Sequence, residues 1–574
     1  MTVLARLVLI ETSGNQAYIF ETNKRRENVG ASQLVHELGS TWVPDALREL
    51  GAAGGRVDEG RVDEGRPEVI VASSGKALVA VPAGGLGEDL VAAVTERSLV
   101  LAPGLDVCGV VSDAFAWGDS SGLAGASQQV HHQFQDVRAK RPGPALRALR
   151  LPIVAPCSST GMSASVALKA APGEDPADLS AASAAKWDAW DRGLARLAQL
   201  AGTQRDRLRE VVGYLGDLAQ WVAVVHADGN GLGAVFGDFQ KALPEPQRTS
   251  DRAYADGLRQ FSMAVDTTAA QALRTAITTV EMPGRVLRSG LATKPVLPLV
   301  VGGDDITFLC DGQMALQLTV ELLRNFEHLS ASSATVTMAL DSAGAPVSRL
   351  GACAGMVFVK PHYPFSSAYD LCEELTADTK RQTKHALTAA GRRVVACSAL
   401  DFHIVYDSGA VGLQPVRQQL TQENGGRATT LFAKPYVVTP LKDLGAASPG
   451  GQAWAERHSW EGLCRRAQVL QAEDDDGGEP RRRLPNSQAH ALRNAMHAGE
   501  AVAEARFSQL LDRRPSAGLA TLGDPRSGTL YWDDPTGREG VGPVTRRSAF
   551  LDAMEVSGFV SAGELKNYLG QIAQ

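Results

Sequence analysis

The sequence predicts an α/β (α+β) protein in which one sandwich unit occurs twice, with a helical stretch between the copies and another after them. Three observations carry this. Residues 1–113 follow the order strand, helix, hairpin, helix, strand. The same order returns from residue 222, and the segments 126–218 and 446–574 show helical periodicity with Ala-rich or charged composition.

RLVLIET (6–12) and EVIVASSGKALVAV (68–81) are rich in Val, Ile and Leu; the second breaks at Ser73–Gly75 and reads as a hairpin. Between them Leu34, Leu38, Trp42 and Leu47 recur at helical spacing. GGRVDEGRVDEGRPE (54–68) carries a tandem RVDEG and reads as a solvated, mobile loop. Residues 86–99 read as helix and LDVCGVVSD (105–113) as strand, so the helices are expected on one face of the sheet. AASAAKWDAWDRGLARLAQLAG and RDRLREVVGYLGDLAQ are helix-forming, and RPGPALRALRLPIVAPCSSTGMSAS (141–165) is a Pro/Gly/Ser-rich connector. The second copy runs from a strand at 222–227 through helices at 252–280, a hairpin at 296–310, a helix at 313–330, a strand at 352–359 and a helix at 366–386. Strands at 400–406 and 432–438 complete it, and EDDDGGEPRRR (473–483) is a charged hinge in the tail. The expected domains are 1–125, 126–218, 219–445 and 446–574.

A chain of 574 residues exceeds what one core fills, which agrees with several domains. The net charge of −7 argues against a surface devoted to coating nucleic acid, though not against a local basic groove or a nucleotide held through metal. The seven Cys are scattered with no CxxC pair, which disfavours a disulfide framework and a zinc ribbon and fits a reducing compartment. MTVLARLVLIETSGN lacks a signal-peptide pattern and no run of 18 apolar residues occurs, so a cytoplasmic protein with no membrane partner is expected.

The two copies align on short motifs. ETSGNQAYIF (11–20) lies against HADGNGLGAVF (226–236), with Ser13 opposite Asp228 and Gly14-Asn15 opposite Gly229-Asn230. VASSGKALV (71–79) lies against VGGDDITFL (301–309), with Gly75 and Lys76 opposite Asp304 and Asp305. On this reading the first copy has lost every carboxylate that the second carries.

Those carboxylates define the chemistry. Asp228 ends a strand, and Asp304 and Asp305 sit on a hairpin tip that can meet it at one sheet edge. Phosphoryl transfer needs metals that lower the pKa of an attacking hydroxyl and neutralise leaving pyrophosphate; oxygen ligands suit two Mg²⁺ or Mn²⁺ ions. Gly302 and Gly303 allow a tight turn, and Gly229, Asn230, Gly231, Leu232 and Gly233 open towards a helix whose amides can cradle a triphosphate. A G-G-D-D turn alone is also an ordinary hairpin loop. The upstream strand-end Asp and its Gly-rich loop are what favour catalysis. Lys380 and Lys384 are candidates for holding the triphosphate, against the alternative of a solvated helix face. Lys360 and His362, which follow the strand GMVFVK, are lesser candidates for lining the same cleft, the alternative of residues away from it being favoured. His226 shares a strand face with Asp228 but reads as a satisfied strand-end His, and Asp401 as structural. Arg481–Arg483 beside Asp474–Asp476 read as a self-compensating loop.

HADGNGLGAVF, VLPLVVGGDDITFLC and SGNQAYIF…NVGAS together resemble the large polymerase-like subunit of type III CRISPR effector complexes, across most of 1–440 and more weakly in RNAMHAGEAVAEARFS and FLDAMEVSGF. The resemblance implies two ferredoxin-like palm domains of nucleotide-cyclase type facing each other, the GGDD palm converting ATP into cyclic oligoadenylates. It assigns metal binding to Asp228, Asp304 and Asp305, and a nucleotide-binding wall in the first palm to Gly14, Asn15 and the loop Gly30-Ala31-Ser32. It implies an NTP substrate, with guide or target RNA and other defence-complex subunits as partners. The chain departs from the family pattern: it has no adjacent His-Asp pair of a nuclease domain, Cys157 is solitary where relatives carry zinc-binding clusters, and it is short. DNA cleavage is therefore not implied, and a stand-alone relative stays open. Two other readings are a nucleotide- or RNA-binding scaffold without catalysis and a homodimeric dinucleotide cyclase; the clustered acids argue against the first and the internal blank copy against the second.

Overall fold

The computed structural model describes residues 3–52, 60–142, 150, 152–168, 177–280, 285–287, 289–290, 292–388, 395–406, 412–424, 427–474, 481–515, 518–524, 526–534 and 545–572. Positions 56–59 of the first RVDEG copy, 143–149 and 151 of the connector and 475–480 of the charged hinge lie outside these residues.

The first palm comprises β1 (Leu4–Ser13), α1 (Asn15–Phe20), α2 (Arg25–Glu37), β2 (Glu68–Ser73), β3 (Lys76–Pro82), α3 (Leu86–Leu101), β4 (Asp106–Val111) and α4 (Gly122–Lys140). The second repeats the order: β5 (Val222–Gly229), α5 (Leu232–Gly237), α6 (Asp251–Thr279), β6 (Val296–Gly302), β7 (Asp305–Asp311), α7 (Gly312–Ser332), β8 (Ala352–Val359) and α8 (Phe365–Ala386). It is extended by β9 (Ala399–Ile404) and β10 (Tyr436–Val437). The strand orders, β2-β3-β1-β4 and β6-β7-β5-β8-β9-β10, coincide over four strands. Each hairpin also carries a bulge at the same step before its tip, at Ile70 and at Leu299. The hairpin correspondence of Gly75 and Lys76 with Asp304 and Asp305 follows from that shared geometry.

Both faces of each sheet are covered, unlike the one-sided sandwich expected. Leu7 and Leu9 join one hydrophobic core while Val8 and Ile10 join the other, and the same split separates Ala223 and Val225 from Val222 and Val224. Alternate side chains of a strand point to opposite faces, so an uninterrupted apolar run such as LVLI marks a strand buried on both. The helix α4 packs on β1 and β4, and the 125/126 boundary falls inside it.

The palms clasp each other reciprocally. Ser32 on α2 donates to the carbonyl of Leu299, the bulge residue of the second hairpin, while Arg259 on α6 donates to Val69 O (3.3 Å), next to the bulge of the first. Gly30, Ala31 and Ser32 therefore lie inside a buried helix rather than a loop, and a side chain at Gly30 would strike Lys186 O.

Helices Ala181–Asp188, Trp190–Leu200 and Arg205–Asp217 form the connector, and the tail is mainly helical. Two short tail strands, Trp532–Asp534 and Thr545–Arg547, complete a four-stranded sheet with 421–424 and 427–430. The second RVDEG copy is not a free loop: Val62 is buried and Asp63 pairs with Arg252 at 2.7 Å. Cys157 is buried against Ser159 and Ser183. Among the described residues no helix is long and apolar enough to cross a membrane.

Candidate active site

The central strand β5 is apolar from Val222 to Val225, carries the buried His226, and places Asp228 at its exit from the core. Antiparallel pairing sets Ile306 opposite Ala227, so one further step brings Asp305 opposite Asp228. Gly303 turns the hairpin with φ +63°, which glycine adopts without strain and which presents Asp304 beside them. There is no room for a side chain at Gly229, whose added Cβ would lie 2.6 Å from Asp304 Cβ. Carboxylate oxygens of Asp228, Asp304 and Asp305, all half-buried, lie within 4.8 Å of one another.

Crowding has an electrostatic consequence. Burial and the neighbouring Asp228 push Asp304 up to about 6. Burial, Asp228 and Asp304 push Asp305 up to about 8. Such acids do not all ionise unaided near neutral pH, and a hard divalent cation with oxygen preference relieves that repulsion, so the donor set fits the expected metals. Lys380 on α8 forms an ion pair with Asp228 and donates to Gly229 O at 2.8 Å. Asp266 on α6, not singled out from the sequence, accepts the Gly303 N–H and pins the turn.

The other expected residues divide. Lys384 stands one helical turn after Lys380, and both line a chamber of about 840 Å³ with Asn230, Gly231, Lys241 and Arg349. Gly233 is open, with nothing within 4 Å of an added Cβ. Leu232 is a core residue, 1% exposed. Asn230 is held by structure: its N–H donates to Gly351 O (2.8 Å) and its side chain to Cys397 O (2.7 Å). Between the palms, Asn15 and Ser32 line a cavity of about 50 Å³ with Ser74, His226, Gly302 and Asp305. His226 is satisfied by Thr307 at 3.0 Å, and burial lowers it to about 4, which keeps it neutral. Asp401 is fully buried against Arg417, a structural pair.

Lys360 and His362 do not reach the site. β8 runs antiparallel to β5 with Ala352 opposite Gly229 and Val359 opposite Val222, so residues after 359 emerge at the opposite sheet edge from Asp228. There Lys360 lies over the Trp221 ring at 3.8 Å and bonds Gln220 O.

The first palm requires a second correction. In it Glu11 faces Lys76 on one side and Cys108 on the other; in the second palm Asp228 faces Asp305 and Cys353. Gly14 and Gly231, with φ +62° and +81°, each precede a six-residue helix. The counterpart of Asp228 is therefore Glu11, not Ser13, and the match of Gly14 is Gly231, not Gly229. The shared Gly-Asn pair misleads by two residues, a slip that keeps every side chain on its expected face.

Fold and site together define a double-palm protein whose second palm carries a three-carboxylate cluster. Residues 221–388 match the family model described as Cas10/Cmr2, second palm domain, and the chain resembles the large polymerase-like subunit of type III CRISPR complexes. Among solved structures it is similar to Csm1 of T. onnurineus (TM-score 0.46, 13% identity, covering 90% of this chain and 64% of that one). It is also similar to a Csm1–Csm4 cassette in complex with AMPPNP (TM-score 0.45, 12% identity, 91% and 64%) and one in complex with cA4, with the same values. The chain thus spans less than two thirds of the length of these proteins. No curated protein sequence matches it.

Proposed function

We propose that the chain is a metal-dependent nucleotidyltransferase that joins NTP, taken as ATP from the resemblance of its motifs, into cyclic oligonucleotides with release of pyrophosphate. The setting proposed is CRISPR-type or related antiviral defence, with other complex subunits and guide or target RNA as partners. The observation that carries the reading is the convergence of Asp228, from a central strand, with Asp304 and Asp305, from a hairpin far along the chain, at one edge of a domain matching the Cas10/Cmr2 second palm. Asp228, Asp304 and Asp305 would hold Mg²⁺ or Mn²⁺, which when bound supply Lewis-acid activation of a hydroxyl and charge neutralisation at the leaving group.

The remaining work falls to this chain's own residues. Lys380 and Lys384 present ammonium groups on one helix face to the triphosphate. The Gly302–Gly303 backbone admits a close approach. The first palm, clasped against the second, holds an acceptor nucleotide; such prepositioning replaces a bimolecular encounter and lowers the barrier by several kcal/mol.

The test is incubation of the purified chain with each NTP plus Mg²⁺ or Mn²⁺, with and without RNA, and resolution of products by mass. Asp228→Ala and Asp304→Ala should each abolish product while melting as the parent does. Turnover persisting in both would sink the reading.

A further inference from the structure

Placing Glu11 at the position of Asp228 changes the meaning of the first palm. Its hairpin residue Lys76, which stands where Asp305 stands, lies 3.3 Å from Glu11 Oε2 and 3.2 Å from His131 Nε2. His131 is on α4, the helix that follows the fourth strand, as Lys380 is on α8 in the second palm. Its Nδ1 lies 2.8 Å from Ser127 O. A carbonyl cannot donate, so Nδ1 carries the proton and Nε2 accepts from the Lys76 ammonium. Two of the three ammonium protons are thereby engaged, and the side chains of Lys76 and Glu11 stay 33% and 32% exposed. At Gly75, the counterpart of Asp304, an added Cβ would lie 2.3 Å from Thr12 Oγ1, which excludes an acid there. The second palm thus gathers three carboxylates, and the first an ion pair.

We propose that Lys76 takes the place of the divalent cation in the first palm, which binds the phosphate of a nucleotide there without metal. An ammonium bound to one carboxylate keeps a donor for an incoming phosphate oxygen, whereas a cluster of acids repels phosphate until a cation intervenes. The inference rests on reading the first palm as the acceptor side, and it deepens that reading by naming the group that meets the phosphate.

Equilibrium dialysis of the full chain against ATP in excess EDTA tests it, because without divalent ions the acid cluster of the second palm disfavours the triphosphate. Saturable binding is expected for the parent chain. K76M should weaken it about tenfold or more, and K76R, which keeps the charge, should retain most of it. E11Q should tighten binding by removing the competitor for Lys76. Absence of binding in the parent chain, or equal binding by K76M, overturns the proposal. Should K76M lose its melting transition, E11Q decides: binding that is unchanged or weaker overturns it. The outcome is separable from the product assay, which reads Asp228 and Asp304 in the presence of metal.

Discussion

At Gly302 the two palms come within a methyl group of each other. An added Cβ there would lie 2.8 Å from Ser74 Cβ at the tip of the first hairpin. The contact is tighter than packed carbon atoms allow, so G302A must displace one tip, and the acids ride on that tip. Product formation should fall about tenfold or more, since small misplacements of reacting groups are costly. S74G combined with G302A should recover most of it; a double variant as impaired as G302A alone would refute the contact as the cause. The acids themselves were legible in the sequence, because Asp at the exit of an apolar strand and on a Gly-Gly turn is a local pattern. Glu11 was not, because its role depends on which residue of β3 lies across from it. The inward side chain of Leu232 was not legible for a related reason: position in a Gly-rich loop does not tell which way a side chain faces.

The long helix α6 supplies Asp266, which lies 37 residues before the Gly303 N–H that it accepts. Burial raises the Asp266 carboxyl, and its bond to Gly303 opposes that rise. D266A leaves a half-buried N–H without its acceptor, a loss of about 1–3 kcal/mol. The variant should melt at a lower temperature and make less product, with substrate affinity changed less than turnover; steady-state kinetics separates the two. Nothing local in α6 marks Asp266, since an acid on a long amphipathic helix reads as solvated. The element boundaries were more legible: Asp311 caps α7 by accepting from Gln313 N–H, so hairpin and helix meet where the apolar period changes.

Across the whole molecule, the clasp between the palms includes a buried acid. Glu68 on β2 is fully buried and accepts from Arg252 and Arg259 of α6, each at 2.6 Å. Burial alone would raise its carboxyl, yet the two guanidinium groups hold it below the usual range. E68A removes the buried carboxylate that Arg259 shares with Asp256, its other partner at 2.7 Å, and should destabilise the chain by about 1–3 kcal/mol in denaturant titration. A loss below about 0.5 kcal/mol would show that the clasp does not depend on this pair. The fold should also weaken in acid. Burial, followed by Arg196, lowers His36 to about 4; burial, followed by Lys434 and Arg417, lowers His403 to about 3. Both imidazoles are neutral in the fold, and the unfolded chain takes up the protons first. Their contribution is full above 6.5, where an unfolded imidazole titrates, and is lost as pH falls from there through about 4 and about 3. The melting temperature should decline between those limits, and H403Q should flatten the decline.

By itself the sequence determined the order of elements, their duplication and the three acids, because apolar period, turn residues and strand-end carboxylates are written within a few neighbouring positions. Only the tertiary structure decided that Glu11 matches Asp228, that Lys380 pairs with that acid, that Lys360 leaves by the far edge, and that two hairpin tips touch. Those facts are matters of register and of contacts between segments far apart in the chain. A shift of two residues in pairing leaves the hydrophobic pattern unchanged while moving every polar partner.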